Sequence, residues 1–166
     1  MPRFVVNSHR QDPYKNFKFR VRFSTSPEPV AGLSKMSAIK KTTETIEWRE
    51  AGGPSLVRKM PGKTKSEPVT LEAGLTHDRA FIEWAEKVNS PLGDAAMSLK
   101  DYRREVIVEV LNLLGIPVMT FTLHRAWPSE FQALPEMDGN ANAVAIQTLK
   151  LEYEGFTFED RELPET

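Results

Sequence analysis

From Phe17 to Phe23 apolar and basic side chains alternate without a break: Phe17, Phe19, Val21 and Phe23 against Lys18, Arg20 and Arg22. A period of two puts the two sets on opposite sides of an extended chain, whereas a helix would mix them around its circumference. The segment is therefore a half-buried strand with a wet basic face, and it needs partner strands. Val30 to Lys35 reads as a short strand. Lys41 to Glu50 reads as a longer one, β-branched at Thr42, Thr43, Thr45 and Ile46. Pro68 to Gly74 follows, through Val69, Leu71 and Ala73. Glu105–Asn112 and Pro117–Trp127 form a hairpin across Leu113–Ile116, and Val144–Tyr153 is the last strand. Apolar parity in that strand changes near Thr148, which implies a bulge.

One segment has a helical period. Phe81, Trp84, Ala85 and Val88 fall at i, i+3, i+4 and i+7, which predicts a helix over 79–89. Asp78 is placed to cap it and Asn89-Ser90-Pro91 to stop it. Residues 51–66 open on Ala-Gly-Gly-Pro and read as a long Gly/Pro/Lys-rich loop, and Pro128–Asn142 reads as irregular. The expectation is a mainly β (α+β) fold: an antiparallel β-barrel or sandwich of about seven strands with one flanking helix. It divides into an N-terminal arm (1–16), one domain (17–158) and a C-terminal tail (159–166).

Composition removes several function classes. A chain of 166 residues has room for a real core. With no cysteine there is no disulfide, thiolate metal site or cysteine nucleophile. The formal net charge of −1 supplies no global field for nucleic acid or acidic membrane. The first residues lack a signal-like apolar run, and no stretch approaches the ~20 apolar residues of a spanning helix, so folding in the cytoplasm without membrane insertion is the default expectation.

Local motifs fail on inspection. Val57–Thr64 ends like a phosphate-binding loop, but valine stands where the first glycine belongs, and Lys-Ser-Glu-Pro follows where a helix must open. Asp138, Asn140 and Asn142 have the spacing that opens a calcium loop, but Ala143 and Leu149 replace the required glycine and glutamate, which leaves turn chemistry. His9, His77 and His124 are scattered, and Glu44, Glu47 and Glu50 divide between two strand faces. Nothing assembles a nucleophile, a base and an oxyanion hole, so no catalytic, cofactor or metal residues are assigned. Lys18, Arg20 and Arg22 suit a solvated face or an acidic neighbour better than nucleic acid, because the aromatics between them point the other way.

Several stretches in order resemble one family. They are Tyr14–Phe23 (YKNFKFRVRF), Val30–Gly53 (VAGLSKMSAIKKTTETIEWREAGG), Arg58–Lys65 (RKMPGKTK), Leu71–Ala85 (LEAGLTHDRAFIEWA), Ser98–Leu111 (SLKDYRREVIVEVL) and Trp127–Gly155 (WPSEFQALPEMDGNANAVAIQTLKLEYEG). Together they are similar to the T4-like phage tail tube family and its relatives in contractile injection systems, over about residues 12–158. The resemblance implies a non-enzymatic subunit of homohexameric rings that stack into a tube inside a contractile sheath. It implies sheath, baseplate or spike, and cap proteins as partners, and protein cargo or DNA in the channel. Such a particle is assembled in the cytoplasm and then released. By the same resemblance the 51–66 segment is the stacking loop, carrying Arg58, Lys59, Lys63 and Lys65 with Arg49 and Glu50 at its base. For the channel lining, the wet faces of two strands offer Thr43, Thr45, Glu47, Thr70 and Glu72. A hexameric carrier of secreted effectors is the alternative, and a closed ligand-binding barrel or hydrolase a third.

Overall fold

The structure is a computed structural model and describes residues 13–30, 32–53, 55–92 and 101–161. In chain order the elements are β1 (Phe19–Phe23), β2 (Leu33–Met36), β3 (Lys41–Trp48), β4 (Arg58–Ser66), β5 (Val69–Gly74), α1 (Ala80–Val88), β6 (Arg104–Leu111), β7 (Pro117–Gln132), β8 (Ile146–Glu152) and β9 (Gly155–Asp160). Seven strands form one antiparallel sheet in the order β1-β6-β7-β8-β5-β2, with β9 added to β7. The sheet is open, with β1 and β2 as its ends, so it is not a closed barrel. Among the described residues β3 and β4 pair only with each other.

The sixteen-residue strand β7 organises the sheet. Its first part lies between β6 and β9, and its last part, Trp127–Gln132, pairs with β8. The strand turns where these parts meet, at Arg125, whose φ of 52° lies in the left-handed region. Glu154 holds this corner. Its carboxylate pairs with Arg103 and lies 3.0 Å from Arg125 Nε, and its backbone N–H donates to the His124 carbonyl.

Both parts of the sheet turn one face inward. Val21 and Phe23 of β1, Leu71 of β5, Val106 of β6, Leu123 of β7 and Leu149 of β8 are buried on a shared core. Helix α1 fills it with Phe81 and Trp84. Full burial of side chains of this size contributes roughly 2–3 kcal/mol each. Phe23 meets Trp84 edge to face at 4.8 Å, and Trp84 Nε1–H donates to the Tyr102 carbonyl at 2.6 Å. The Arg104 guanidinium lies 5.2 Å from the Trp84 ring centroid. Burial lowers the pKa of Arg104, and Asp101 and Glu83 work against that shift. On the outer face Arg20 and Arg22 of β1 both reach the nearly buried carboxylate of Glu109. The basic face of the first strand is thus committed to an acidic neighbour within the chain.

The outline expected from the sequence holds, with differences that have physical reasons. Most of the 51–66 loop is strand β4, which exposes both faces and so shows no hydrophobic period. β9 was not anticipated, and it takes in Glu159 and Asp160 from the expected tail. β7 continues to Gln132, five residues into a segment read as irregular, and passes Pro128 through a register shift. The bulge expected near Thr148 is absent from the β5–β8 register, because Val144 lies outside the strand and Gln147, Leu149, Leu151 and Tyr153 share the buried face. Asp78 accepts from the Ala80 N–H at 3.0 Å, but the residue flanking the helix is Arg79, whose side chain makes no cap. His9 lies outside the described residues.

Candidate assembly surface

β3 and β4 continue the β2–β5 pair outward as one ribbon. Lys35 faces Glu72 and Met36 faces Leu71 within the sheet. Ser37 and Thr70 exchange two hydrogen bonds, the Glu67 N–H donates to the Lys40 carbonyl, and Lys41 opens the hairpin opposite Ser66. Thr42 donates to Glu67 at 3.1 Å. Tyr153 of the core lies at this junction. Burial raises its phenol's pKa, Glu67 and Glu152 add to the rise, and the nearby Lys40 backbone opposes it. Lys41, Lys65 and Ser66 share a cleft with Glu154 and Phe156 beside the base of the hairpin.

Beyond the junction no described residue of the hairpin is buried. Its register shows two chemically different faces. Cross-strand partners lie on the same side of a ribbon. Thr42 pairs with Lys65, Ile46 with Met60 and Trp48 with Arg58, so one face is apolar and cationic. Ile46, Trp48 and Met60 remain 50%, 48% and 45% exposed. On the other face Thr43 pairs with Thr64, Thr45 with Pro61 and Glu47 with Lys59. The Thr43 and Thr64 hydroxyls are hydrogen-bonded at 2.8 Å, and Glu47 lies 4.0 Å from Lys59. Gly62 sits at the shift between the registers, where a Cβ would meet both the Glu44 carbonyl and Ile46 Cγ1 at 3.1 Å. A two-stranded ribbon with neither face covered is marginal in water.

The residues singled out for stacking are therefore divided. Arg58 and Lys65 accompany the exposed tryptophan, Lys59 is on the hydroxyl face, Lys63 has no register partner, and Arg49 and Glu50 follow β3 in the connecting turn. Among the residues singled out for the channel, Thr43, Thr45 and Glu47 line the hydroxyl face of the hairpin. Thr70 and Glu72 lie instead on the outward face of β5, opposite Lys150 and Thr148, with Glu72 3.6 Å from Lys35. The structure thus puts the two groups in different sheets. Sequence reasoning missed the set Ile46, Trp48 and Met60. Its signal was the two-residue spacing of Ile46 and Trp48, which becomes legible only once β4 supplies the opposite strand. Among the described residues no three His, Asp or Glu side chains gather to hold a metal.

A family model described as T4-like virus tail tube protein gp19 matches residues 15–157. No curated protein sequence matches the chain. A chain of the anti-feeding prophage baseplate structure, 6-fold symmetrised, superposes with a TM-score of 0.74 at 23% identity, covering 93% of this chain and 100% of that one. A chain of the sheath-tube complex of PVC, an extracellular contractile injection system in its extended state, gives 0.74 at 22%, covering 91% and 94%. Hcp1 from Flavobacterium johnsoniae gives 0.52 at 12%, covering 89% and 98%. These likenesses show a shared fold.

Proposed function

This chain belongs to the T4-like virus tail tube protein family, and from that premise we propose that its copies close into hexameric rings that stack into the inner tube of a contractile injection particle. As a family member it is a structural tube component. The observation that carries the reading further is the unpartnered hairpin on an open sheet. β2 and β9 each leave an edge without a strand among the described residues, the outer edge of β1 is met by Pro29 and Val30, and β3–β4 leave two faces without cover. Bare edges of this kind are an aggregation hazard in a monomer and a means of pairing in an assembly. Edge pairing suits closure of the ring. The hairpin, with Arg49, Glu50, Arg58, Lys59, Lys63 and Lys65, suits contact between rings. The polar faces bearing Thr43, Thr45, Glu47, Thr70 and Glu72 suit a channel through which cargo must slide without sticking.

Sheath, baseplate and cap proteins are the partners in this proposal, supported by the fold shared with chains from sheath-tube, baseplate and tube-terminating cap structures. The chain itself works by packing and carries out no chemistry. Its place is in a particle that acts outside the cell that assembles it. Negative-stain microscopy of the purified protein, alone and with its sheath protein, tests the reading. Rings of uniform diameter and tubes of the same width are expected. Discrete rings that never lengthen would favour an effector carrier, and single small particles at high concentration would overturn the proposal.

A further inference from the structure

The hairpin has a counterpart at the opposite end of the same two strands. In the β5–β8 register, Val69 faces Leu151 at one end and Gly74 faces Ile146 at the other. The hairpin enters β5 at the Val69 end. The long connection from β7, residues 133–145, enters β8 at the Ile146 end. The two segments therefore leave the sheet at opposite ends of a pair about 20 Å long.

Their chemistry is opposite where it is charged and alike where it is apolar. Residues 41–66 carry six basic and three acidic side chains. Between Ala126 and Leu149 there is no lysine or arginine, while Glu130, Glu136 and Asp138 are acidic. Each segment also exposes apolar side chains. The hairpin has Ile46, Trp48 and Met60, and the connection has Leu134, Met137 and Val144 at 59%, 67% and 79% exposure. The connection is not shapeless at its acidic end. Asp138 accepts the Asn140 N–H through its side chain at 2.9 Å and the Ala141 N–H through its carbonyl at 3.2 Å. The Asp-x-Asn-x-Asn stretch thus builds a turn, and that turn displays Met137 beside Asp138.

We propose that the apolar, cationic face of the hairpin of one copy docks on residues 133–145 of a second copy in the adjacent ring. The proposal rests on the stacking reading above and names the surface that receives the hairpin. A subunit with complementary patches at opposite ends joins head to tail, and such contacts repeat without closing, as a lengthening tube requires. Apolar burial at the centre with ion pairs around it also makes assembly sensitive to salt, because exposed pairs are screened.

Charge reversal tests it. Arg58→Glu with Lys65→Glu alters the hairpin. Glu136→Lys with Asp138→Asn alters the connection and leaves the turn an acceptor at position 138. Each variant alone is expected to form rings and to lose tubes at least tenfold. Mixed one to one, the two variants are expected to regain tubes, because each altered surface meets an altered partner in alternate rings. If the hairpin variant still forms full-length tubes, the hairpin does not stack rings and the underlying reading fails. If the hairpin variant loses tubes but the connection variant does not, or the mixture stays as rings, only the receiving surface is wrong. Loss of the rings themselves from either variant would place the contact within a ring and overturn the proposal.

A second measurement does not depend on charge. The chain has no cysteine, so Met60→Cys with Met137→Cys introduces one defined pair. Oxidation of assembled tubes is expected to give a ladder of covalent oligomers from the double variant and none from either single variant. A monomer band from oxidised tubes of the double variant would refute the contact.

Discussion

β5 and β8 pair over six residues and bury Val69, Leu71, Ala73, Leu149 and Leu151 on one face. β3 and β4 pair over a similar length and bury nothing. Both pairs are antiparallel, and both belong to the same ribbon that runs through β2 and β5. What separates them is the layer against the inner face. The first pair has α1 and the rest of the sheet to exclude water; the second has solvent on both sides. Backbone hydrogen bonding alone does not make a sheet stable in water. In the proposed tube, a ribbon whose second layer is missing from its own chain is completed by another copy, so its side chains would answer to assembly where those of β5 and β8 answer to folding.

Substitutions can break that contrast or sharpen it. The largest effect is expected at Trp84, which is fully buried. Trp84→Ala should cost about 3–5 kcal/mol in denaturant unfolding and remove rings and tubes together. Next is Glu109→Ala, which leaves Arg20 and Arg22 facing each other on β1 without their carboxylate. A loss of about 1–3 kcal/mol is expected, read as a lower thermal midpoint. Tyr153 gives a smaller effect at the junction of the two regions. Its folded pKa is raised from 10.0, so its contribution to stability is complete below pH 10 and is lost as pH rises through the higher folded value. Tyr153→Phe should flatten that alkaline decline, measured as the difference between the two melting curves from pH 8 to 11.5. The smallest stability change is expected at Trp48, half exposed on the hairpin. Trp48→Ala should alter unfolding by no more than about 0.5 kcal/mol while sharply reducing tubes in micrographs. A melt as damaged as that of Trp84→Ala would erase the contrast.

The same contrast explains what could be read in advance. Wherever one face is buried, the sequence carries a period. Phe19, Val21 and Phe23 mark β1, Leu71 and Ala73 mark β5, and Phe81, Trp84 and Val88 mark the helix to within a residue at each end. β4 has no buried face, and Pro61 and Gly62 in its middle look like breakers. Gly62 is in fact required there by the close approach of Ile46 and the Glu44 backbone. β9 is six residues long, and only Phe156 and Phe158, stacked beside Phe121, mark its inner side. The continuation of β7 past Pro128 was hidden because the register shift there lets proline into a strand. The charges of the hairpin could be counted from the sequence, but their division between two faces could not. That division depends on the β3–β4 register, which nothing within one strand encodes.

The junction at Ser37–Lys40 and Glu67–Thr70 has a mechanical consequence. A load applied at the hairpin tip along its axis passes through both strands into β5, whose six pairings with β8 are then strained lengthwise and all at once. A load applied sideways meets, among the described residues, the few bonds at Ser37, Lys40 and Thr42. The projection is accordingly stiff against thrust and compliant against bending, and in the proposed tube this would let a column of subunits be driven forward hard while each still finds its seat on the one ahead.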